Sequence, residues 1–136
     1  MQISKKFKLA LVLSLALFAH TAQAELTDRC IITISQSATA FTEIDAYRNG
    51  LSPAEVDADI QAVFMDAEIE AMRQMYALGG EVYKRNGTRQ QALKFINDSV
   101  KEANSDSDLP DNLKAKAAKA SVDAFMCGYD DMVKPI

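Results

Sequence analysis

Apolar residues return every three or four positions from Asp28 to Arg48: Cys30, Ile34, Ala38, Phe41 and Ile44 form one stripe, with Glu43, Asp45 and Arg48 at or beyond its edges. This spacing predicts a first helix over 28–48. It should close at Asn49-Gly50, where glycine takes the left-handed conformation that ends helices. Ser52-Pro53-Ala54-Glu55 then reads as a new start, with a serine cap, proline in the first turn and a glutamate three residues on to complete a capping box. The second helix is predicted over 53–78 and carries two apolar rows. One holds Val56, Ile60, Val63, Ala67, Ala71 and Leu78; the other holds Met65, Ile69, Met72 and Tyr76. Gly79-Gly80 should end it or kink it, since each glycine in a helix interior costs about 1 kcal/mol. A second stop at Arg85-Asn86-Gly87 precedes Thr88, with Gln91 placed to complete another capping box. The third helix, 88–103, has a shorter stripe of Ala92, Phe95, Ile96 and Val100.

The pattern changes in the fourth helix, predicted over 109–133 with Asp108 as its cap and Pro110 in its first turn. Leu113, Ala117, Ala120, Ala124 and Cys127 share one side, while Ala115, Val122, Met126, Tyr129 and Val133 lie roughly opposite. A helix with two apolar faces belongs inside a bundle, and its small Ala face admits a close neighbour. One local conflict accompanies it. Lys114 and Lys116 stand near its start, and Asp130 and Asp131 near its end, against the sign that the helix dipole prefers. No period-two run of β-branched residues occurs, so the expected fold is all-α: a small four-helix bundle-like domain.

The first 24 residues fit none of these helices. A Lys-rich start, an apolar run from Leu9 to Ala19 and Ala22-Gln23-Ala24 read as a secretory signal cut after Ala24, leaving a single domain over 25–136. The run is about 11 residues long, short of the roughly 20 that span a bilayer. The expected location is the periplasm or the medium, with no membrane association after cleavage.

Removing the leader removes Lys5, Lys6 and Lys8, so the remainder carries 12 basic and 19 acidic residues, a formal charge of −7. That balance argues against nucleic acid and anionic lipid as partners. It serves solubility, or attracts a cationic protein partner. His20, the sole histidine, leaves with the signal, which excludes Ser-His-Asp and Cys-His nucleophiles and His-ligated zinc from the remaining chain. Cys30 and Cys127 are the only cysteines, and in an exported domain they read most simply as a structural disulfide, with free thiols or intermolecular bridges as the alternative.

Other chemistry is thin. Asn104, Asp106 and Asp108 match the first ligand positions of a calcium loop, but Leu109 and Ala115 occupy the places of its required glycine and glutamate. Glu68 and Glu70 point to different sides of their helix and make no catalytic pair. No cofactor or metal is expected, and no catalytic residue is assigned. The row of Met65, Ile69, Met72 and Tyr76 is the candidate interface: methionine-rich faces adapt to partners, and one face of a small bundle should stay partly open for a protein partner or a second copy. Core packing within the bundle is the other reading of that row.

The segment Ala46-Tyr-Arg-Asn-Gly-Leu-Ser-Pro-Ala-Glu-Val56, between an early and a late cysteine, resembles small exported bacterial proteins of unknown function. These share an arginine, one residue, glycine, one residue, serine helix break and two end-to-end cysteines. The resemblance implies a helical periplasmic fold and carries no catalytic residue. The expected function is a non-enzymatic binding protein that masks another protein, as an inhibitor or an immunity-type protein does. A hydrolase working with carboxylates alone, and a structural or stress-related periplasmic helper, are the alternatives.

Overall fold

The computed structural model describes residues 26–133, and the leader read over 1–24 lies outside them. Among the described residues the chain forms α1 (Asp28–Arg48), a 3-10 turn (Pro53–Glu55), α2 (Ala58–Tyr83), α3 (Arg89–Ser105) and α4 (Asp111–Met132), with no strand. The all-α fold is as expected, and Cys30 is bonded to Cys127.

The helices run up, down, up and down. Cys30 meets Cys127 at one end while Glu43 meets Lys116 toward the other, so α1 and α4 are antiparallel. Arg89 meets Asp130 while Asn104 reaches the Lys114 carbonyl, so α3 and α4 are antiparallel as well. Thr42 bonds Gln61, and Thr27 shares Asp131 with Tyr76, which sets α2 antiparallel to α1. The most extensive contact joins α2 and α4, two parallel helices that an open square bundle would keep on its diagonal. The bundle is therefore flattened: α1 packs on one side of the α2–α4 pair and α3 on the other.

Two glycines make that diagonal contact. A Cβ on Gly79 would overlap the Phe125 carbonyl oxygen, and one on Gly128 would overlap the carbonyl oxygen of Tyr76. Backbone thus meets backbone, a separation that only residues without side chains permit. This corrects the expected end of the second helix at 78. The helix runs on to Tyr83, because packing against α4 outweighs the propensity cost of Gly79-Gly80.

Two core clusters follow from the flattening. Cys30, Ile34, Ala38, Phe41 and Ile44 of α1 pack with Met72 and Tyr76 of α2 and with the Leu113, Ala117, Ala120, Ala124, Cys127 face of α4. Ala92 and Ile96 of α3 pack with Phe125, Met126 and Tyr129 on the other face of α4. The two-sided pattern of α4 is thus two half-cores meeting in one helix, although Ala115 and Val133 are exposed rather than part of the second face.

The ends of the helices follow local chemistry with two corrections. Thr88 and Gln91 form the expected capping box at α3, and Thr27 caps α1. The Ser52–Glu55 capping box exists, but it closes only the 3-10 turn; α2 starts at Ala58 with Asp57 as its cap, because the chain turns again at Val56. Helix α4 starts after Pro110 rather than at 109, and Asp108 does not cap it: Leu109 is drawn into the core, which places Pro110 at the cap position without a side-chain bond.

Candidate functional site

The candidate interface row is divided by its depth. Met72 is 2% exposed and Tyr76 7%, while Met65 and Ile69 are half-buried against the same cluster. The expectation that this row is left open is corrected at Met72 and Tyr76, because α1 and α4 together close over it. In the other apolar row, Val63 and Ala67 face outward, with Val63 67% exposed, whereas Ile60 is half-buried and Val56 lies before the start of α2.

The densest polar constellation lies where α1 begins and α4 ends. Asp131, a buried carboxylate, accepts hydrogen bonds from the Tyr76 hydroxyl at 2.6 Å, the Thr27 hydroxyl at 2.8 Å and the Arg29 guanidinium at 2.7 Å. Burial alone would push its carboxyl up, but these bonds and the Arg29 charge outweigh it and hold the group below the usual carboxylate range. Tyr76 responds in the opposite sense. Its burial, its bond to Asp131 and that negative charge all push its hydroxyl up.

One position earlier, Asp130 receives two bonds from Arg89, each 3.0 Å. Both pairs resolve the charge conflict seen in the sequence. Helices α1 and α3 start beside the end of α4, so Asp131 and Asp130 sit against the positive ends of two antiparallel neighbours. Lys116, likewise, is 2.6 Å from Glu43 on α1. An open groove of about 710 Å³ runs over this end, lined by Arg29, Arg89, Tyr83, Tyr129 and both aspartates.

A second acidic site was not legible in the sequence. Glu68 of α2 shares a hydrogen bond with Asp45 of α1, and its carboxyl is pushed up to about 8, first by burial and then by that bond and the Asp45 charge, with Arg48 opposing. The partner of Glu68 is therefore Asp45 across the helix interface, not Glu70 on its own helix; Glu70 instead accepts from Gln74. Among the described residues no group of three or more His, Cys, Asp or Glu side chains is placed to hold a metal ion. Asn104, the first residue of the calcium-like segment, spends its side-chain amide on the Lys114 carbonyl.

The Asp131 network escaped the sequence reading because its four members come from residues 27, 29, 76 and 131. The signal that pointed to it was the wrong-signed end of the fourth helix: a local rule broken without a local compensation marks a tertiary one.

These features define a flattened, disulfide-tied four-helix domain with a buried carboxylate clamp at one end. In comparisons with known proteins, no family model, no curated protein and no solved structure matches the chain. Among the described residues, no helix is long and apolar enough to cross a membrane.

Proposed function

We propose that the protein is a non-enzymatic, exported binding protein that docks on another protein, as an inhibitor or an immunity-type protein does. The observation that carries this reading is the pair Ile31 and Ile32 in the first turns of α1, 49% and 63% exposed. Adjacent large apolar side chains left in water favour a contact surface there. Their helix is fixed on both sides, by Cys30 through the disulfide and by Thr27 and Arg29 through Asp131. A surface held this rigidly loses little conformational entropy on binding. The disulfide and the sequence of the leader support an oxidising compartment, the periplasm or the medium. The formal charge of −7 after leader removal favours a cationic partner.

Capture from the native periplasm with wild-type protein and with Ile32→Glu tests this. A partner retained by the wild type and lost by the variant is the expected result; equal retention, or a partner found on neither, counts against the reading.

A carboxylate hydrolase is the second reading, and Glu68 is what favours it, since a carboxyl that holds its proton near neutral pH beside a second carboxyl is the arrangement of an acid catalyst. The pair lines neither the groove at Asp130 and Asp131 nor the cavity between α2 and α3. Hydrolysis of a glycan or ester substrate that Glu68→Gln abolishes would establish this alternative.

A further inference from the structure

Because α2 and α3 both lean on α4 and touch each other only slightly, a cavity of about 290 Å³ opens between the last turns of one and the first turns of the other. Leu78 and Val82 of α2, Ala92 and Phe95 of α3 and Tyr129 of α4 form its apolar wall, and its polar rim holds Arg85 of the connecting turn, Thr88, Gln91 and Glu81, the last with its charge offset by Lys84 at 3.3 Å. Phe95 is 47% exposed although its ring also leans on Phe125, with centroids 6.0 Å apart, so a large apolar surface stays accessible at this opening.

Two polar groups on the cavity are under-used. Tyr129 is 4% exposed, yet its hydroxyl reaches only the Gly87 carbonyl oxygen at 3.5 Å, the outer limit of a useful hydrogen bond. Arg85 has no acidic partner among the described residues, whereas its neighbours do: Lys84 is paired with Glu81, and Arg89 with Asp130. A buried donor with a poor acceptor and a free guanidinium, beside an apolar wall, call for one kind of ligand: an apolar chain ending in an anion.

We propose that this cavity binds a medium-chain carboxylate, with the chain between α2 and α3 and the head against Arg85 and the Tyr129 hydroxyl. Arginine recognises a carboxylate with two parallel hydrogen bonds, which a lysine does not reproduce. The volume falls at the small end of ligand cavities, roughly 300–1,000 Å³, which suits a single short chain better than a two-chain lipid or a peptide segment. The site is separate from Ile31 and Ile32 on α1, so it stands or falls independently of the docking surface proposed there.

The test is a titration of the leader-free, disulfide-bonded protein with octanoate, followed by amide proton–nitrogen correlation spectra, with octan-1-ol and acetate as the chain without the charge and the charge without the chain. Saturable shifts confined to residues 78–95 and the neighbourhood of Tyr129 are expected. Octan-1-ol, and octanoate added to Arg85→Gln, should each bind about tenfold more weakly than octanoate binds the wild type, and acetate should not saturate. Arg85 is exposed, so its variant folds, and the dispersion of its spectrum verifies this. The proposal is overturned if octanoate gives no saturable shift at roughly 10 mM, if octan-1-ol or Arg85→Gln matches it, or if the shifts fall on Ile31, Ile32 and Val63 instead.

Discussion

Single residues decide more of this fold than their size suggests. Gly79 and Gly80 are adjacent in sequence but opposite in consequence. Gly79→Ala would drive a methyl into the Phe125 carbonyl and should cost about 2–3 kcal/mol in chemical denaturation, whereas a Cβ on Gly80 meets only Met132 Cγ at 3.5 Å. Gly80→Ala should therefore be neutral or stabilise by up to about 1 kcal/mol through helix propensity. Asp131 and Glu68 set opposite pH dependences. Asp131 is held below its ordinary 3.8, so the stability it contributes is present above that value and is lost as pH falls through its lower value in the fold. Glu68 is raised from 4.5 to about 8, so its contribution is full below 4.5 and is lost as pH rises toward 8. From these two groups thermal melts should show greatest stability between the ordinary values of 3.8 and 4.5, and Glu68→Gln should flatten the decline from 4.5 to about 8. Removing the other carboxylate has the opposite outcome. Asp131→Asn should destabilise by about 2–4 kcal/mol at neutral pH, since it strips charge from bonds to Arg29, Tyr76 and Thr27.

At the scale of elements, α4 is the helix on which the others depend. It meets α1 through the disulfide face, α2 through Gly128 and α3 through Phe125, Met126 and Tyr129. The bond from Cys30 to Cys127 closes a loop of sequence separation 97. The chain-entropy view assigns such a loop about 4–5 kcal/mol, an upper figure. Cys127→Ser should accordingly lower the melting temperature while circular dichroism in the cold keeps most of its helical signal, because packing and not the bond makes the helices. The methionine row of α2 gives the complementary test. Replacing Met72 by Glu and Tyr76 by Lys together would bury two charges in the α1–α2–α4 core, and the double variant should unfold, as denaturation or failed expression would report. A folded, soluble double variant would show that this row is not core.

On the scale of the whole molecule, flattening explains both what is buried and what is left accessible. A square bundle surrounds one core, whereas touching diagonals split it into two and leave α1 and α3 without substantial contact. Each outer helix is then covered on one side only. That leaves Ile31 and Ile32 exposed on α1 and Phe95 on α3, the two places to which the docking surface and the carboxylate cavity are assigned. The polar ends of the bundle hold this shape in register. Asp131 ties the start of α1 to the end of α4, and Asp130 ties α4 to the start of α3.

The sequence by itself determined the helical class, the bounds of α1, the capping box at Thr88 and the small-residue face of α4, since these rest on short-range periodicity and local capping chemistry, and its two cysteines favoured the disulfide that the fold then closes. It left open whether α2 would stop at Gly79-Gly80, whether the methionine row would be covered, and what offsets the charges at the end of α4. Tertiary structure alone decided these. A glycine reads as a break until a facing backbone needs its missing side chain. The same four apolar residues read as core or interface until the positions of α1 and α4 are known. Residues 27, 29, 76 and 131 form one polar network only once the antiparallel helices bring their ends together.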